Sequence, residues 1–242
     1  MSVQKRRGEL TTLNLLFCLM VLWSHCSGHP ITVLDHSSWQ YGLMISLQRL
    51  TFVSVSGFFF LSGVKLTLNS ASAPPPPLGR YWAKRWKGIF LPYLLAVAVY
   101  YVYFVSHGYF SFSLRDLAGY MIRGDLSSPF YFVIALAQFV LLVPLFRWLP
   151  RRWSPSVLLP ISLGITWLSA LYCNEILGLL IPGAHFSYND RLFTTYLVYY
   201  VGGCCAGQNY PRFLELLDRN RPLLTACALI FAGADLFFSW KF

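Results

Sequence analysis

Long apolar runs alternate along this chain with short segments that carry most of its charge. A helix needs about 20 mostly apolar residues to cross a hydrocarbon core of about 30 Å. Seven runs reach or approach that length, at residues 10–26, 44–68, 89–106, 130–149, 157–173, 192–207 and 222–240. A further apolar stretch, 176–181, is too short to span and is expected to lie in the interface or to enter and return. The pattern predicts an all-α, polytopic transmembrane helical bundle of about seven spans, built as one domain over residues 1–242.

Charge gives the bundle a direction, because cytoplasmic segments are enriched in Lys and Arg. With the N-terminus inside, the inner segments (5–7, 65–87, 147–152 and 212–221) hold 14 basic residues. The outer loops hold 3, namely Arg115, Arg123 and Arg191. The imbalance predicts a cytoplasmic N-terminus and a multi-pass protein of the plasma or inner membrane, with lipid as its bulk partner. The first run is read as a retained helix, since it lacks a small-x-small cleavage site and later runs continue the alternation.

Hydrophobic residues make up 56% of the 242, aromatics 18% and charged residues 12%. Soluble domains carry about twice that share of charge, so no second, water-soluble domain is expected. A net charge of +10 raises nucleic acid as a partner. The basic residues sit in short clusters between apolar runs rather than on one face, which excludes it. The six cysteines form no framework: four lie within predicted spans, and a pairing stays open only for Cys26 and Cys173, near outer helix ends. No Cys or His spacing suggests a metal site. The segment ASAPPPP at 71–77 reads as a stiff spacer.

Candidate chemistry begins in the first run. Asn14, Cys18, Val21 and His25 recur at helical spacing and share one face. Polar groups are costly in lipid, so this face is expected to turn into the bundle. At 1.5 Å per residue, Asn14 lies toward the inner side and His25 about 16 Å away toward the outer side. A neutral imidazole can take a proton from a hydroxyl; it can equally serve as a hydrogen-bonding group between helices. Asp35 and His36, in the first outer loop, orient a base, bind a sugar, or are incidental polar residues of a solvated loop. The second run carries Arg49, and a charge inside a span is a functional hypothesis by default. Ser62 and Gly63 permit close approach of a helix or a ligand. Asp235 is an acid within the last run, with Arg49 or a histidine as its candidate partner. Lys84, Arg85 and Lys87 suit a phosphorylated donor and equally satisfy the positive-inside rule. The GxxxG pattern at Gly203 and Gly207 reads as a packing face.

In their order, these patterns resemble the acyltransferase 3 family of bacterial membrane O-acyltransferases. LNLLFCLMVLWSH is similar to the family's opening helix, whose terminal histidine, needed for activity, falls on His25. QRLTFVSVSGFFFLSG resembles its Phe-Phe-x-x-Ser-Gly stretch, here Phe58, Phe59, Ser62 and Gly63. KRWKGIFLPY resembles its basic cytoplasmic motif. FYFVIALAQFVLLVPLF and DRLFTTYLVYYVGGCCAG resemble later helices, so the likeness covers nearly the whole chain. Asn14 stands where members usually carry arginine. Gly88 stands where the motif has another basic residue, for which Lys87 is the stand-in. The family's last helices are expected to lie beyond Phe242.

The resemblance implies an acyltransferase that moves groups other than aminoacyl groups. It would carry an acyl group, acetyl first of all, from a cytoplasmic acyl-CoA to a hydroxyl of an extracytoplasmic or lipid-linked glycan. On this reading His25, His36 and Asp35 serve catalysis, and Arg49, Ser62 and Asn14 face the substrate. Lys84, Arg85 and Lys87 hold acetyl-CoA or another acyl-CoA, a co-substrate rather than a permanently bound cofactor. The alternatives are a non-catalytic membrane subunit, a transporter, or an inactive truncated copy. A transporter is expected to spread charge through several spans and to show a repeat. Apart from Lys65 and Arg147, counted with the inner segments, the runs show one arginine, one aspartate and no repeat.

Overall fold

A computed structural model describes residues 8–68, 76–183 and 185–241, with side chains through residue 237. Among the described residues all regular structure is helical. In chain order the helices are α1 (Gly8–Cys26), α2 (Gly28–Val33), α3 (Trp39–Thr51), α4 (Val53–Thr67), α5 (Leu78–Arg85) and α6 (Leu91–Ser106). They continue with α7 (Leu114–Arg123), α8 (Tyr131–Leu141), α9 (Val143–Arg152), α10 (Pro155–Leu180), α11 (Leu197–Gln208), α12 (Tyr210–Arg219) and α13 (Arg221–Lys241). Among the described residues, 4 helical stretches are long and apolar enough to cross a membrane: Gly8–Val33, Trp39–Thr67, Leu78–Ser106 and Pro155–Leu180. A bent pair, Leu114–Arg123 with Ser128–Leu141, raises the number to 5. The chain is an all-helical membrane protein. It divides into two compact units, Met1–Leu68 with Gly203–Phe242, and Asn69–Gly202.

In the first unit α1 packs on α3 and α4. Leu10 is buried, and the edge of Phe17 meets Phe58 at 5.6 Å. The polar loop before α3 is closed by Ser38, whose Oγ accepts from Tyr41 N at 3.2 Å and caps the helix. Phe52, with helical dihedrals, joins α3 to α4 as one 29-residue stretch. Gly203 and Gly207 bring α11 into backbone contact with α4: a Cβ on either would collide with a carbonyl oxygen, of Phe60 and of Val64 respectively. The GxxxG face expected from the sequence is therefore a helix contact. Thr67, the last residue of α4, donates to Cys204 O at 2.7 Å and ties the pair.

In the second unit, α5 passes into α6 through a π-helical turn, Trp86–Phe90, making one 29-residue stretch. Tyr93, Val97 and Tyr101, four residues apart, form its buried stripe. Tyr101 Oη accepts from Ser113 N (2.7 Å) and donates to Ser113 O (2.9 Å), and Tyr93 Oη donates to Met121 O (2.9 Å). Trp82 Nε1 donates to Val140 O at 2.9 Å. The pairings 101/113, 93/121 and 82/140 show that α7 and α8 both run antiparallel to α5–α6. They are one broken span, bent by 58° at its middle. This corrects the fourth run of the sequence: the span antiparallel to the third begins at α7, and Leu142 separates α8 from α9. The break begins at Gly124, which ends α7 with φ 65°, a left-handed conformation that glycine adopts without strain. Stretch 176–181 follows a kink: Tyr172 has non-helical dihedrals, and the helical residues from there to Leu180 form a short second arm of α10. The core of this unit includes Phe139 stacked on Tyr200 at 4.2 Å.

Candidate functional site

The residues singled out from the sequence fall into both units. In the first unit, Leu10, Asn14, Phe17, Val21 and Ser24 line the covered side of α1, while Cys18 and His25 are exposed on its flank. The helical face thus lies one position from the one expected: Asn14 and Val21 turn inward, and His25, about 100° on from Ser24, does not. His25 sits in the last turn of α1 with its imidazole free of hydrogen bonds among the described residues. Asn14 Oδ1 accepts from Lys65 Nζ at 3.2 Å, which places a cation of α4 beside it. Ser62 is half-buried on α4.

Asp35 and His36 are engaged locally. Asp35 Oδ1 accepts from both Ser37 N and Ser37 Oγ at 2.9 Å. Those two bonds to Ser37 hold its carboxyl below the usual carboxylate range. The His36 ring stacks on Tyr41 at 4.4 Å. Arg49 Nη2 lies 3.4 Å from Asp235 Oδ1, joining α3 to α13. With the side chains 35% and 50% exposed this pair is worth little in water. In lipid, the same pair relieves each partner of an uncompensated charge.

In the second unit, Lys84 and Lys87 are exposed and Arg85 is half-buried. The Arg85 guanidinium lies over the Tyr81 ring at 5.2 Å. Arg147, from α9, lies over the same ring at 5.1 Å. Arg147 Nη1 donates to Pro76 O at 3.1 Å, and its buried Nε has no partner among the described residues. One tyrosine thus gathers two guanidinium groups beside two lysines, a dense cationic patch suited to phosphate oxygens. The sequence had counted Arg147 only toward orientation.

A second polar cluster, unforeseen from the sequence, occupies the break between α7 and α8. Arg123 Nε donates to Asp125 Oδ2 at 2.7 Å, and Tyr188 Oη donates to the same oxygen at 3.2 Å. Arg191 lies over the Tyr188 ring at 4.3 Å and pairs with Asp190 at 3.1 Å. Gln138 of α8 clasps the incoming backbone, donating to Arg191 O and accepting from Phe193 N at 3.2 Å. Thr166 and Ser169 of α10 hold Thr194, at 3.0 and 2.6 Å. The level of the cluster is set by Tyr93, bonded to Met121 two residues before Arg123. Tyr93 lies about 20 Å below the Ser106 end of its span at 1.5 Å per residue. Arg123 and Arg191, assigned to outer loops by the sequence, therefore stand at the Tyr93 level of α6, away from its Ser106 end. Three atoms here are buried without a hydrogen-bond partner: Asp125 Oδ1, Asn189 Oδ1 and Arg191 Nε. Each such atom costs about 1–3 kcal/mol.

A separate cleft of about 440 Å³ lies between α9, α10 and α11, lined by Trp148, Trp153, Ile161, Phe193 and Val201 among others. Its walls are apolar almost throughout, so it offers a hydrocarbon chain a place but nothing to orient a polar substrate.

An acyltransferase-domain family model matches residues 8–241. The chain belongs to the acyltransferase 3 family. No curated protein and no solved structure matches it. Family membership makes the chain a membrane protein of an acyl-transferring family. It covers both units without a gap, and with them the His25 region, the Lys84–Lys87 motif and the broken span. Within this acyltransferase 3 chain, two contacts left open by the sequence are made: Arg49 pairs with Asp235, and the Gly203 face packs on a helix, α4. Asp35 and His36, by contrast, form contacts only inside their own loop and the first turn of α3.

Proposed function

We propose that this acyltransferase 3 chain transfers an acyl group, acetyl first of all, from acyl-CoA on the cytoplasmic side to a hydroxyl of an extracytoplasmic or lipid-linked glycan. The family match over residues 8–241 carries this reading. The Tyr81-centred patch supports a phosphorylated donor: Arg85 and Arg147 supply planar, paired donors, and Lys84 and Lys87 add charge around them. The donor is a co-substrate that comes and goes, and the exposed lysines suit that exchange. The N-terminus, on this reading, lies in the cytoplasm of a cell whose plasma or inner membrane holds the bundle.

His25 is the general base. Its exposed imidazole takes the proton of the acceptor hydroxyl as the hydroxyl oxygen bonds to the thioester carbonyl carbon. The carbon–sulfur bond then breaks, the sulfur leaves with its electron pair and collects a proton, and the products are the ester and coenzyme A thiol. Asn14 and Ser62 border the same helix pair, and the Asp35–His36 loop shapes the mouth beside α1. Arg49 acts through its pair with Asp235, fixing α3 in place.

The test uses the purified chain in lipid nanodiscs with acetyl-CoA labelled in its acetyl group and lipid-linked glycan from cell membranes. Label moving to glycan, lost in His25→Gln, is expected. Label that stays in acetyl-CoA, or that moves equally well with the glutamine variant, overturns the assignment.

The broken span favours one second reading. Discontinuous helices with charge at mid-depth also build transporter sites. Uptake of the glycan without acylation in proteoliposomes would select it.

A further inference from the structure

The break between α7 and α8 meets the segment 188–196, which holds two short 3-10 turns, at the Tyr93 level of α6. We infer that this junction is a binding site for a neutral, polyhydroxylated ring, a pyranose sugar, held by Asp125, Tyr188, Asn189 and Arg191.

Three observations lead there. The first is the inventory of unpartnered atoms. Asp125 Oδ1 and Asn189 Oδ1 are acceptors and Arg191 Nε is a donor, all buried. Neighbouring hydroxyls on one ring both donate and accept, so they complement such a mixed set. The second is charge. Arg123 pairs with Asp125 and Arg191 with Asp190, so two cations meet two anions. An anion or a cation would gain no net attraction here, and a neutral ligand loses none. The third is the scaffold. The groups hang from a clasped backbone, with Gln138 bonding both sides of Leu192 and Thr195 Oγ1 donating to Asn189 O at 2.8 Å. They are held in place before any ligand arrives, which lowers the ordering cost of binding.

This deepens the acyl-transfer reading by giving the acceptor's sugar a place, and its link to the acceptor rests on that reading. The site itself is tested without acyl transfer. The full chain in nanodiscs is heated in the presence of methyl glycosides of glucose, galactose, mannose and N-acetylglucosamine, each titrated alone. A specific sugar raises the unfolding midpoint with the logarithm of its concentration above Kd, by about 3–6 °C at ten times its Kd. Excluded sugars stabilise any protein weakly and in proportion to concentration, so variants decide. Asn189→Leu removes an unpartnered acceptor: its ligand-free midpoint should be no lower than that of the unmodified chain, and the sugar affinity should fall at least tenfold. Asp125→Asn keeps the shape and should lose a similar factor. No logarithmic response in the unmodified chain overturns the proposal, as does an equal response in all three proteins. A ligand-free midpoint well below normal in Asn189→Leu would show that its Oδ1 has a protein partner, and overturns it too. A sugar that binds here yet is never acylated would refute the acceptor reading and leave the site standing.

Discussion

Adding one methyl group at Gly203 tests the closest helix contact in the protein. A Cβ there would overlap Phe60 O, with Phe60 C at 2.9 Å and Val64 N at 3.0 Å. All of these are backbone atoms, so no side chain can swing aside. The helices must part, and overpacking of this kind costs about 1–3 kcal/mol. Parting them also strains the Thr67–Cys204 bond, worth about 0.6 kcal/mol for an average polar contact between membrane helices. Alanine returns about 0.8–1.0 kcal/mol through helix propensity. The net expectation for Gly203→Ala is a loss of about 1–3 kcal/mol. Gly164, in α10, is the control: nothing lies within 4 Å of its Cβ position. Gly164→Ala should gain up to about 1 kcal/mol. Reversible unfolding in mixed micelles at increasing SDS fraction measures both variants. A gap of about 2–4 kcal/mol between them is expected. Equal stabilities would refute the close approach of α4 and α11.

Further expectations follow from the site geometry. His25→Gln should lower turnover by about 10²–10⁴ while the protein stays folded and inserted; near-normal transfer would make His25 a structural residue. Arg147→Ala should raise KM for acyl-CoA several-fold with kcat little changed, and the difference should shrink at high salt as screening grows; an unchanged KM removes Arg147 from the donor site. Asp35→Asn keeps an oxygen for Ser37 and should leave transfer near normal. Asp35 is held below its ordinary value, so its contribution to the loop is full above about pH 4 and fades only as the pH falls through the lower folded value; a hundredfold loss in Asp35→Asn at neutral pH would instead make its charge essential. In a background without native cysteines, Arg115→Cys should react with an impermeant thiol reagent from outside and Arg123→Cys should not; equal labelling would return Arg123 to an outer loop.

Much of the bundle was legible because a long apolar run can only be satisfied in lipid as a helix. The runs of α1, of α3–α4, of α6 and of α10 were read at their correct places, and the glycines of α11 named their own packing face. The pairing of Arg49 with Asp235 was one of two alternatives in the sequence, a histidine being the other, since Asp235 is the one acid within the runs. The broken span was not legible. Its halves are 10 and 11 residues long, each too short to register as a crossing, and the charges of Arg123 and Asp125 between them look like any solvated loop. One signal was present: Gly124, between the two charges, and Pro129, four residues after Asp125, lie within a few residues of two apolar segments, a punctuation that suits a broken helix as well as a loop. Arg147 was hidden for a different reason. A single arginine at a helix end satisfies the positive-inside rule, and only the fold brings it over Tyr81.

The π-helical turn at Trp86–Phe90 closes with Leu91 N bonded back five residues to Trp86 O, which accommodates about one residue more than an α-helical turn would. It therefore sets the rotational phase between the two halves of its span. Upstream lie Tyr81, Trp82 and Arg85; downstream lies the buried stripe of Tyr93, Val97 and Tyr101. Each residue of an α-helix turns the chain by about 100°. Deleting one residue from this turn would let it relax to an α-helix while sparing every named side chain. Keeping it decides on which side of the helix the Tyr81 patch stands relative to the buried stripe, so the turn works as a spacer in angle rather than in length.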